Sequence, residues 1–199
     1  MLQRRATRFF LPCLCAVTGE LFTISDHSYI ANKPQGKVFM SILDNFKLDG
    51  QVAVITGAGK GIGAAIARAF AEAGADVVIG ARTAADLDKV AADVQALGRR
   101  ALVVPTDVLD FAQLQYLADS ALREFGRIDI LVNNAGGCPP KPVANTTARE
   151  FEGAFRFNVS TAFELSRICA PMIVESSGTG AILNISSIAG HKPTPCFAA

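Results

Sequence analysis

The sequence contains no tryptophan, and it has only two tyrosines and two histidines in 199 residues. No Cys-x-x-Cys occurs, the five cysteines are irregularly spaced, and His27 lies far from His191. These gaps argue against a zinc site and against the disulfide framework of a small secreted protein. We therefore expect reduced thiols in a cytoplasmic protein.

The sequence also lacks an excess of either charge, because its 19 Lys and Arg nearly balance its 18 Asp and Glu, for a net charge of +1. Such a balance leaves no basic field for nucleic-acid binding. No apolar run reaches the roughly 18 residues of a membrane-spanning helix, so we expect no membrane partner either. Half of the residues are nevertheless hydrophobic, which excludes a globally disordered chain and supplies the core of one domain.

Residues 1–39 differ from the rest of the chain, since they carry five Lys or Arg against two Asp or Glu and show no regular period. Their basic start precedes a short apolar stretch, but Pro12 interrupts it and no clear cleavage site follows. We interpret 1–39 as an extension outside the fold, produced by a gene model that begins upstream of Met40. A targeting segment and a disordered tail are the alternatives. Residues 40–199 form the predicted dinucleotide-binding domain.

From Met40 onward, short apolar runs alternate with helical periods. Strands are predicted at 52–55, 77–79, 101–104, 128–132 and 181–185. Between them, apolar residues recur at helical spacing, and Gly74, Gly98 and Gly126 are placed to end helices. A capping box at 147–150 predicts the start of a long helix that runs to about residue 175. The alternation predicts an α/β fold, a Rossmann-type doubly wound parallel sheet.

A glycine-rich loop follows the first predicted strand and precedes the first helix. Glycine permits a tight turn and a close approach of the backbone to a pyrophosphate, and the helix N-terminus offers free N–H groups to the anion. A phosphate loop of the Walker type is excluded, because Lys60 is followed by glycine rather than by Ser or Thr. The predicted dinucleotide-binding residues of this loop are Thr56, Gly57, Gly59, Lys60, Gly61, Ile62 and Gly63.

The tip of the second predicted strand bears on the choice between NADP(H) and NAD(H). An NAD-binding fold usually carries an acidic residue about 20 residues beyond the first glycine, but this strand ends in Gly80-Ala81-Arg82-Thr83. Arg82 can pair with a 2′-phosphate that a carboxylate would repel, and Lys60 can reach the same phosphate. The sequence therefore favours NADP(H) over NAD(H), with an ordinary exposed arginine as the alternative interpretation of Arg82.

These motifs, in this order, resemble those of the short-chain dehydrogenase/reductase family over nearly all of residues 45–199. The resemblance implies that Asn158 and Ser187 are catalytic, with Ser186 as the alternative match. It implies hydride transfer between a nicotinamide and a carbonyl or secondary alcohol, as in 3-oxoacyl reductases and hydroxysteroid or alcohol dehydrogenases. The further cofactor-binding residues that it implies are Asp107, Val108, Asn133, Ala135 and Gly136.

The sequence departs from the family pattern beyond Ser187. The family's catalytic Tyr-x-x-x-Lys motif occurs nowhere in the 199 residues, and the two tyrosines, Tyr29 and Tyr116, lie elsewhere. We therefore expect an incomplete sheet, with the first five strands present and the last strands missing, in a chain that is inactive alone. The alternative is a non-catalytic dinucleotide-binding module or a pseudogene product.

The resemblance also places the segments 138–140 and 191–197 beside the substrate. These segments are mostly apolar, which favours a small ketone, a β-ketoacyl group or a hydrophobic alcohol. The same resemblance implies a full-length homodimer or homotetramer that associates through the long fourth helix.

Overall fold

The computed structural model describes residues 41–190 of the chain. The predicted extension over 1–39 and the segment 191–197 lie outside the described residues. The chain divides into two compact units, Met1–Phe46 and Lys47–Ala199. In the first unit, the described part forms a short 3-10 helix at Ile42–Phe46, where the Ser41 N–H donates to Asp44 Oδ2 at 2.8 Å.

The second unit is built on a parallel sheet in the strand order β3-β2-β1-β4-β5. This order confirms the predicted Rossmann-type α/β fold. The five strands are β1 Val52–Thr56, β2 Asp76–Ala81, β3 Ala101–Pro105, β4 Ile130–Asn133 and β5 Ala181–Asn184.

Strand β4 begins later than its apolar run predicted. Ile128 is fully buried, yet its N–H donates to Ser176 Oγ at 3.1 Å instead of pairing with a neighbouring strand. The apolar run therefore begins at Ile128 because that side chain is buried, whereas regular strand pairing starts at Ile130.

Each strand except the last is followed along the chain by a helix. The predicted helix ends are confirmed, since Gly74 and Gly98 come just after helices and Gly126 caps one at φ +74°. No helix within residues 41–190 has both the length and the hydropathy to cross a membrane. The five α-helices of this part are α1 Gly61–Glu72, α2 Ala84–Ala96, α3 Phe111–Phe125, α4 Ala148–Phe155 and α5 Thr161–Ser177.

The predicted long helix is confirmed at its start but interrupted in its middle. Thr147 and Glu150 form the capping box, and a π turn at Arg156–Ser160 joins α4 to α5 with helical backbone angles on both sides. The wider turn disturbs the backbone hydrogen-bond ladder. Two side chains supply donors there: Asn158 Nδ2 donates to the Ala154 carbonyl at 2.8 Å, and Thr161 Oγ1 donates to the Phe157 carbonyl at 2.7 Å.

The core consists of two apolar layers, one on each face of the sheet. Val54, Val78 and Leu131 face α3 and α5, whereas their strand neighbours Ile55 and Ile79 face α1 and α2. Because both faces are covered, β1, β2 and β4 are apolar along almost their whole length. Strand β5 is mostly exposed, and within residues 41–190 it pairs only with β4.

Candidate functional site

The order of the strands reverses at β1, which pairs with β2 on one side and with β4 on the other. In an open α/β sheet, the crevice beyond the carboxyl ends of such strands is where ligands bind. The glycine-rich loop leaves β1 at this position and enters α1. The fold therefore places the predicted dinucleotide-binding loop at the switch point of the sheet.

Hydrogen bonds between Thr56 and Asn134 hold the loop to the end of β4. Thr56 Oγ1 accepts from the Asn134 N–H at 3.0 Å and from the Ala135 N–H at 3.1 Å. In return, Asn134 Nδ2 donates to the carbonyls of Thr56 at 2.9 Å and Gly57 at 3.2 Å. Thr56 is 3% exposed, so its role in the structure is to position the loop rather than to face a ligand.

Asn134 is a site residue that the sequence reasoning missed. Consecutive side chains along a strand point to opposite faces, so of two adjacent asparagines one must face away from the other. Asn133 points toward α5 and β5, where its Nδ2 donates to Ser166 Oγ and to Asn184 Oδ1, both at 2.9 Å. The alternation of side chains at the end of β4 was the sequence signal from which the position of Asn134 at the glycine loop could have been predicted.

Gly57 and Gly63 are required by their surroundings. Gly57 has φ +65°, and a Cβ on it would lie 2.8 Å from Asn134 Nδ2. A Cβ on Gly63 would meet the carbonyl oxygen of Gly57 and the side-chain amide of Asn134. These two glycines let the first turn of α1 pack directly on the loop.

The start of α1 fits an anionic group. Lys60 is the N-cap residue, and its side chain makes no capping hydrogen bond. The first backbone N–H groups of a helix have no partner within the helix. Gly61 and Ile62 in this first turn are exposed, so their N–H groups suit a pyrophosphate held at the positive end of the helix dipole.

Arg82 and Asp86 lie beside the same loop. Arg82 is exposed and makes no ion pair with any residue in 41–190. A Cβ on Gly59 would lie 3.1 Å from Asp86 Cβ and 3.5 Å from Ala81 Cβ, so the loop adjoins both the tip of β2 and the first turn of α2. Although the strand tip lacks a carboxylate, α2 supplies one, 4.0 Å from Lys60 Nζ.

A cavity of about 390 Å³ opens next to Arg82. It joins Arg82 and Asp107 to Cys138 and Pro139, two residues that the family resemblance placed on the substrate side, and Ser187 does not line it. The structure thus groups these two residues with the predicted cofactor side.

The segment after β3 forms one wall of this cavity. Asp107 Oδ1 accepts from the Leu109 N–H at 3.0 Å, and the Asp107 N–H donates to Gln113 Oε1 at 2.7 Å. These bonds fix Asp107 at the turn. The Val108 side chain is buried in the core, so only its backbone can face a ligand.

An ion pair anchors the loop that forms the opposite wall. Lys141 Nζ lies 2.6 Å from Glu150 Oε1, and Glu150 Oε2 accepts from the Thr147 N–H and from Thr147 Oγ1, each at 2.9 Å. These hydrogen bonds, from Lys141 first and then from Thr147, lower the pKa of Glu150 to about 2. The same carboxylate thus begins α4 and secures the loop.

Asn158 fixes the other end of that loop from the π turn. Its Oδ1 accepts from the Gly137 N–H at 2.7 Å, and its Nδ2 donates to the Gly137 carbonyl at 3.1 Å. A Cβ on Gly136 would lie 2.8 Å from Asn158 Oδ1, so this contact needs glycine. The geometry gives the Asn158 side chain a positioning role for the segment that follows β4.

Ser187 lies beyond the end of β5, three residues after the Asn184 that Asn133 contacts. Its side chain is exposed, and its Oγ accepts from the Ala189 N–H at 3.2 Å at the start of a 3-10 turn over Ile188–Gly190. No hydrogen bond joins Ser187 to Asn158 in the described part of the chain. Two hydrogen bonds of 2.9 Å link the two strand ends, from Asn133 Nδ2 to Asn184 Oδ1 and from the Ile185 N–H to the Asn133 carbonyl.

Comparisons with known proteins agree with this architecture. An uncharacterized oxidoreductase of Mycobacterium tuberculosis is 48% identical over 158 residues, which are 79% of this chain and 60% of the relative. The 7alpha-hydroxysteroid dehydrogenase of Escherichia coli K12 is 45% identical over 149 residues, 75% of this chain and 58% of the relative. A solved structure of 7 alpha-hydroxysteroid dehydrogenase complexed with NADH and 7-oxo glycochenodeoxycholic acid has a TM-score of 0.74 at 42% identity and covers 79% of this chain and 61% of that chain.

The chain therefore spans about 60% of the length of the curated relatives that it matches. A family model described as short chain dehydrogenase matches residues 51–199, from the start of β1 through the end of the chain. This match covers most of the sequence and includes both the glycine loop and the segment after β4. The chain belongs to the short chain dehydrogenase family, whose oxidoreductases bind a nicotinamide dinucleotide.

Proposed function

We propose that the whole protein is an NADP-dependent oxidoreductase that transfers a hydride between the nicotinamide and a carbonyl or secondary alcohol. The observation that carries this proposal is the glycine loop at the switch point of the sheet, with the cations Arg82 and Lys60 beside it. Membership of the family supports the reaction class. Arg82, which has no carboxylate partner within residues 41–190, supports the choice of NADP(H).

The residues of this chain have separate tasks in the proposal. The free N–H groups at the start of α1 bind the pyrophosphate, and the Arg82 guanidinium binds the 2′-phosphate. Asp107, Asn133, Ala135 and Gly136 shape the cleft beside them. When bound, the dinucleotide supplies the hydride.

The proposed role of Ser187 is to donate its hydroxyl hydrogen to the substrate oxygen, because it lies exposed beyond the carboxyl end of β5. Asn158 holds the loop after β4 in place through Gly137. Hydroxysteroids and β-ketoacyl groups are the proposed substrate classes. The name of the Escherichia coli relative supports the first class.

Titration with NADPH and NADH, followed by fluorescence or calorimetry, tests the cofactor choice. We expect NADPH to bind more tightly, and we expect Arg82→Ala to weaken NADPH binding about 10- to 100-fold, since charge-assisted hydrogen bonds are lost. NADH binding should change little. Arg149→Ala is the matched control, because Arg149 is exposed on α4 and does not line the cavity. Tighter binding of NADH, or an unchanged NADPH affinity in Arg82→Ala, would contradict the proposal.

A second candidate function is dinucleotide binding without turnover. The observation that favours it is the cavity, which Arg82 and Asp107 line and Ser187 does not. Under this alternative, the whole protein binds NADPH but does not oxidise it when a ketone is added. Ketone-dependent loss of NADPH absorbance, removed by Ser187→Ala, would contradict this alternative and support the reductase.

A further inference from the structure

The charges around the tip of β2 do not all favour a phosphate. Lys60 and Arg82 are positive, but the Asp86 carboxylate lies 4.0 Å from Lys60 Nζ and 3.8 Å from Lys89 Nζ. The Asp86 side chain is 29% exposed, whereas those of Lys60 and Lys89 are 88% and 78% exposed. The anion is therefore held against the protein, and the two lysines reach toward it from solvent.

The backbone fixes where this carboxylate stands. Asp86 belongs to the first turn of α2, where its N–H donates to the Thr83 carbonyl at 3.2 Å. Its Cβ would be 3.1 Å from a Cβ on Gly59, so it adjoins the glycine loop rather than the outer face of α2. Thr83, the N-cap residue, makes no side-chain capping bond. Asp86 thus keeps its carboxylate beside the loop lysine.

From this arrangement we infer that Asp86 is a specificity-determining residue that weakens 2′-phosphate binding by engaging Lys60. A lysine drawn to a neighbouring carboxylate must leave it, or share its charge with it, before it can neutralise a phosphate. The carboxylate has no such effect on NADH, which lacks the 2′-phosphate. This inference rests on the proposed NADP(H) site, and it predicts a preference for NADP(H) that is smaller than two cations alone would give.

The variant Asp86→Asn keeps the shape of the side chain and removes its charge. We expect its NADPH affinity to rise about three- to fivefold at low salt, the range of an exposed ion pair, while its NADH affinity stays within measurement error. The gain should shrink as salt rises toward about 0.5 M, because exposed charges are screened. Asp88→Asn is the matched control on α2, since Asp88 is exposed and makes no ion pair within residues 41–190.

A double-mutant cycle tests the route through Lys60. In a Lys60→Gln background, Asp86→Asn should no longer improve NADPH binding. A gain that persists there, or an Asp86→Asn protein whose NADPH affinity equals that of the wild type, overturns the inference. Loss of NADH affinity in Asp86→Asn also overturns it, because Asp86 would then be a ligand of the ribose.

Two affinity ratios distinguish failure of the Asp86 inference from failure of the proposed function. The ratio of NADPH to NADH affinity in the wild-type chain tests the proposed cofactor choice, whereas the ratio between variant and wild type tests Asp86. If the circular dichroism of Asp86→Asn differs from that of the wild type, Asp86→Gln is used in its place, because Gln is a better helix former than Asn. The expected outcomes are the same.

Discussion

At the scale of single residues, the glycine loop depends on what lies beside each glycine rather than on glycine content. Gly57 and Gly61 need glycine for their positive φ, +65° and +59°, although a Cβ on Gly61 would meet open space, and Gly63 needs its missing Cβ. Gly59 leaves room for Asp86 and Ala81. Four glycines in one motif therefore serve different physical purposes.

Gly63→Ala should destabilise the fold by about 2 to 3 kcal/mol, because the new methyl group overlaps the backbone of Gly57 and overpacks the junction. Urea unfolding followed by circular dichroism measures this change. Gly153→Ala is the matched control in another helix, where no atom lies within 4 Å of the added Cβ, and it should gain about 0.5 to 1 kcal/mol from helix propensity. Equal stabilities of the two variants would contradict the packing assigned to Gly63.

The predictability of the site also differs from residue to residue. The glycine spacing and Arg82 follow from local sequence, because a tight turn and a strand tip are local structures. The proximity of Asp86 to Lys60 depends on how α2 leaves β2, and the Thr56–Asn134 bonds join residues 78 positions apart. No local pattern reveals the first contact, and for the second the alternation of adjacent asparagines at the end of β4 indicates only which face of the sheet Asn134 takes.

At the scale of elements, α4 and the loop before it form one unit through Glu150. The pKa of Glu150 is lowered to about 2 from an ordinary value of 4.5, first by the hydrogen bond from Lys141 and then by those from Thr147. A depressed pKa in the folded state means that the ionised carboxylate stabilises the fold above about pH 4.5. This contribution is lost as the pH falls from there toward 2.

Glu150→Gln should therefore be less stable than the wild type at pH 7, and the difference should vanish as the pH falls from about 4.5 to 2. Carboxyl chemical shifts of Glu150 and urea unfolding at several pH values measure the two sides of this linkage. Glu152→Gln on the same helix is the control, because no ion pair of Glu152 is seen within residues 41–190, and it should be as stable as the wild type at pH 7. A Glu150 carboxyl that titrates near its ordinary value would contradict the ion pair.

The elements themselves were largely predictable, and the exceptions have physical reasons. All five strands were found because each contains a continuous apolar run, which is typical of parallel strands. The π turn at Arg156–Ser160 was not found, because residues on both sides keep helical backbone angles and the same apolar spacing. Asn158 and Thr161, whose side chains donate to carbonyls of the preceding turn, were its only sequence trace.

At the scale of the whole molecule, α4, the π turn and α5 together present an apolar stripe. Its four residues recur every fourth position and are 47–67% exposed: Phe151, Phe155, Val159 and Phe163. A contiguous exposed apolar surface of this kind marks an interface or promotes aggregation. We propose that the homo-oligomer expected from the family resemblance associates through this stripe.

Phe155→Glu combined with Phe163→Glu should reduce self-association, because two charges would have to be buried at the contact. Sedimentation velocity over a range of protein concentrations measures this. Val143→Glu is the control, since Val143 is 76% exposed and lies outside the stripe. If the double variant sediments like the wild type, the stripe does not mediate association.

The position of β1 between β2 and β4 also has a consequence for folding kinetics. Val52 pairs with Asp76 but also bonds to Asp129, 77 residues away. Closing the longer loop costs about 1 kcal/mol more conformational entropy than closing the shorter one. The β1–β2–β3 half is therefore expected to form first, and the cleft is completed only when β4 docks. A ligand of this cleft meets no finished site before that step, so it should slow unfolding without hastening folding.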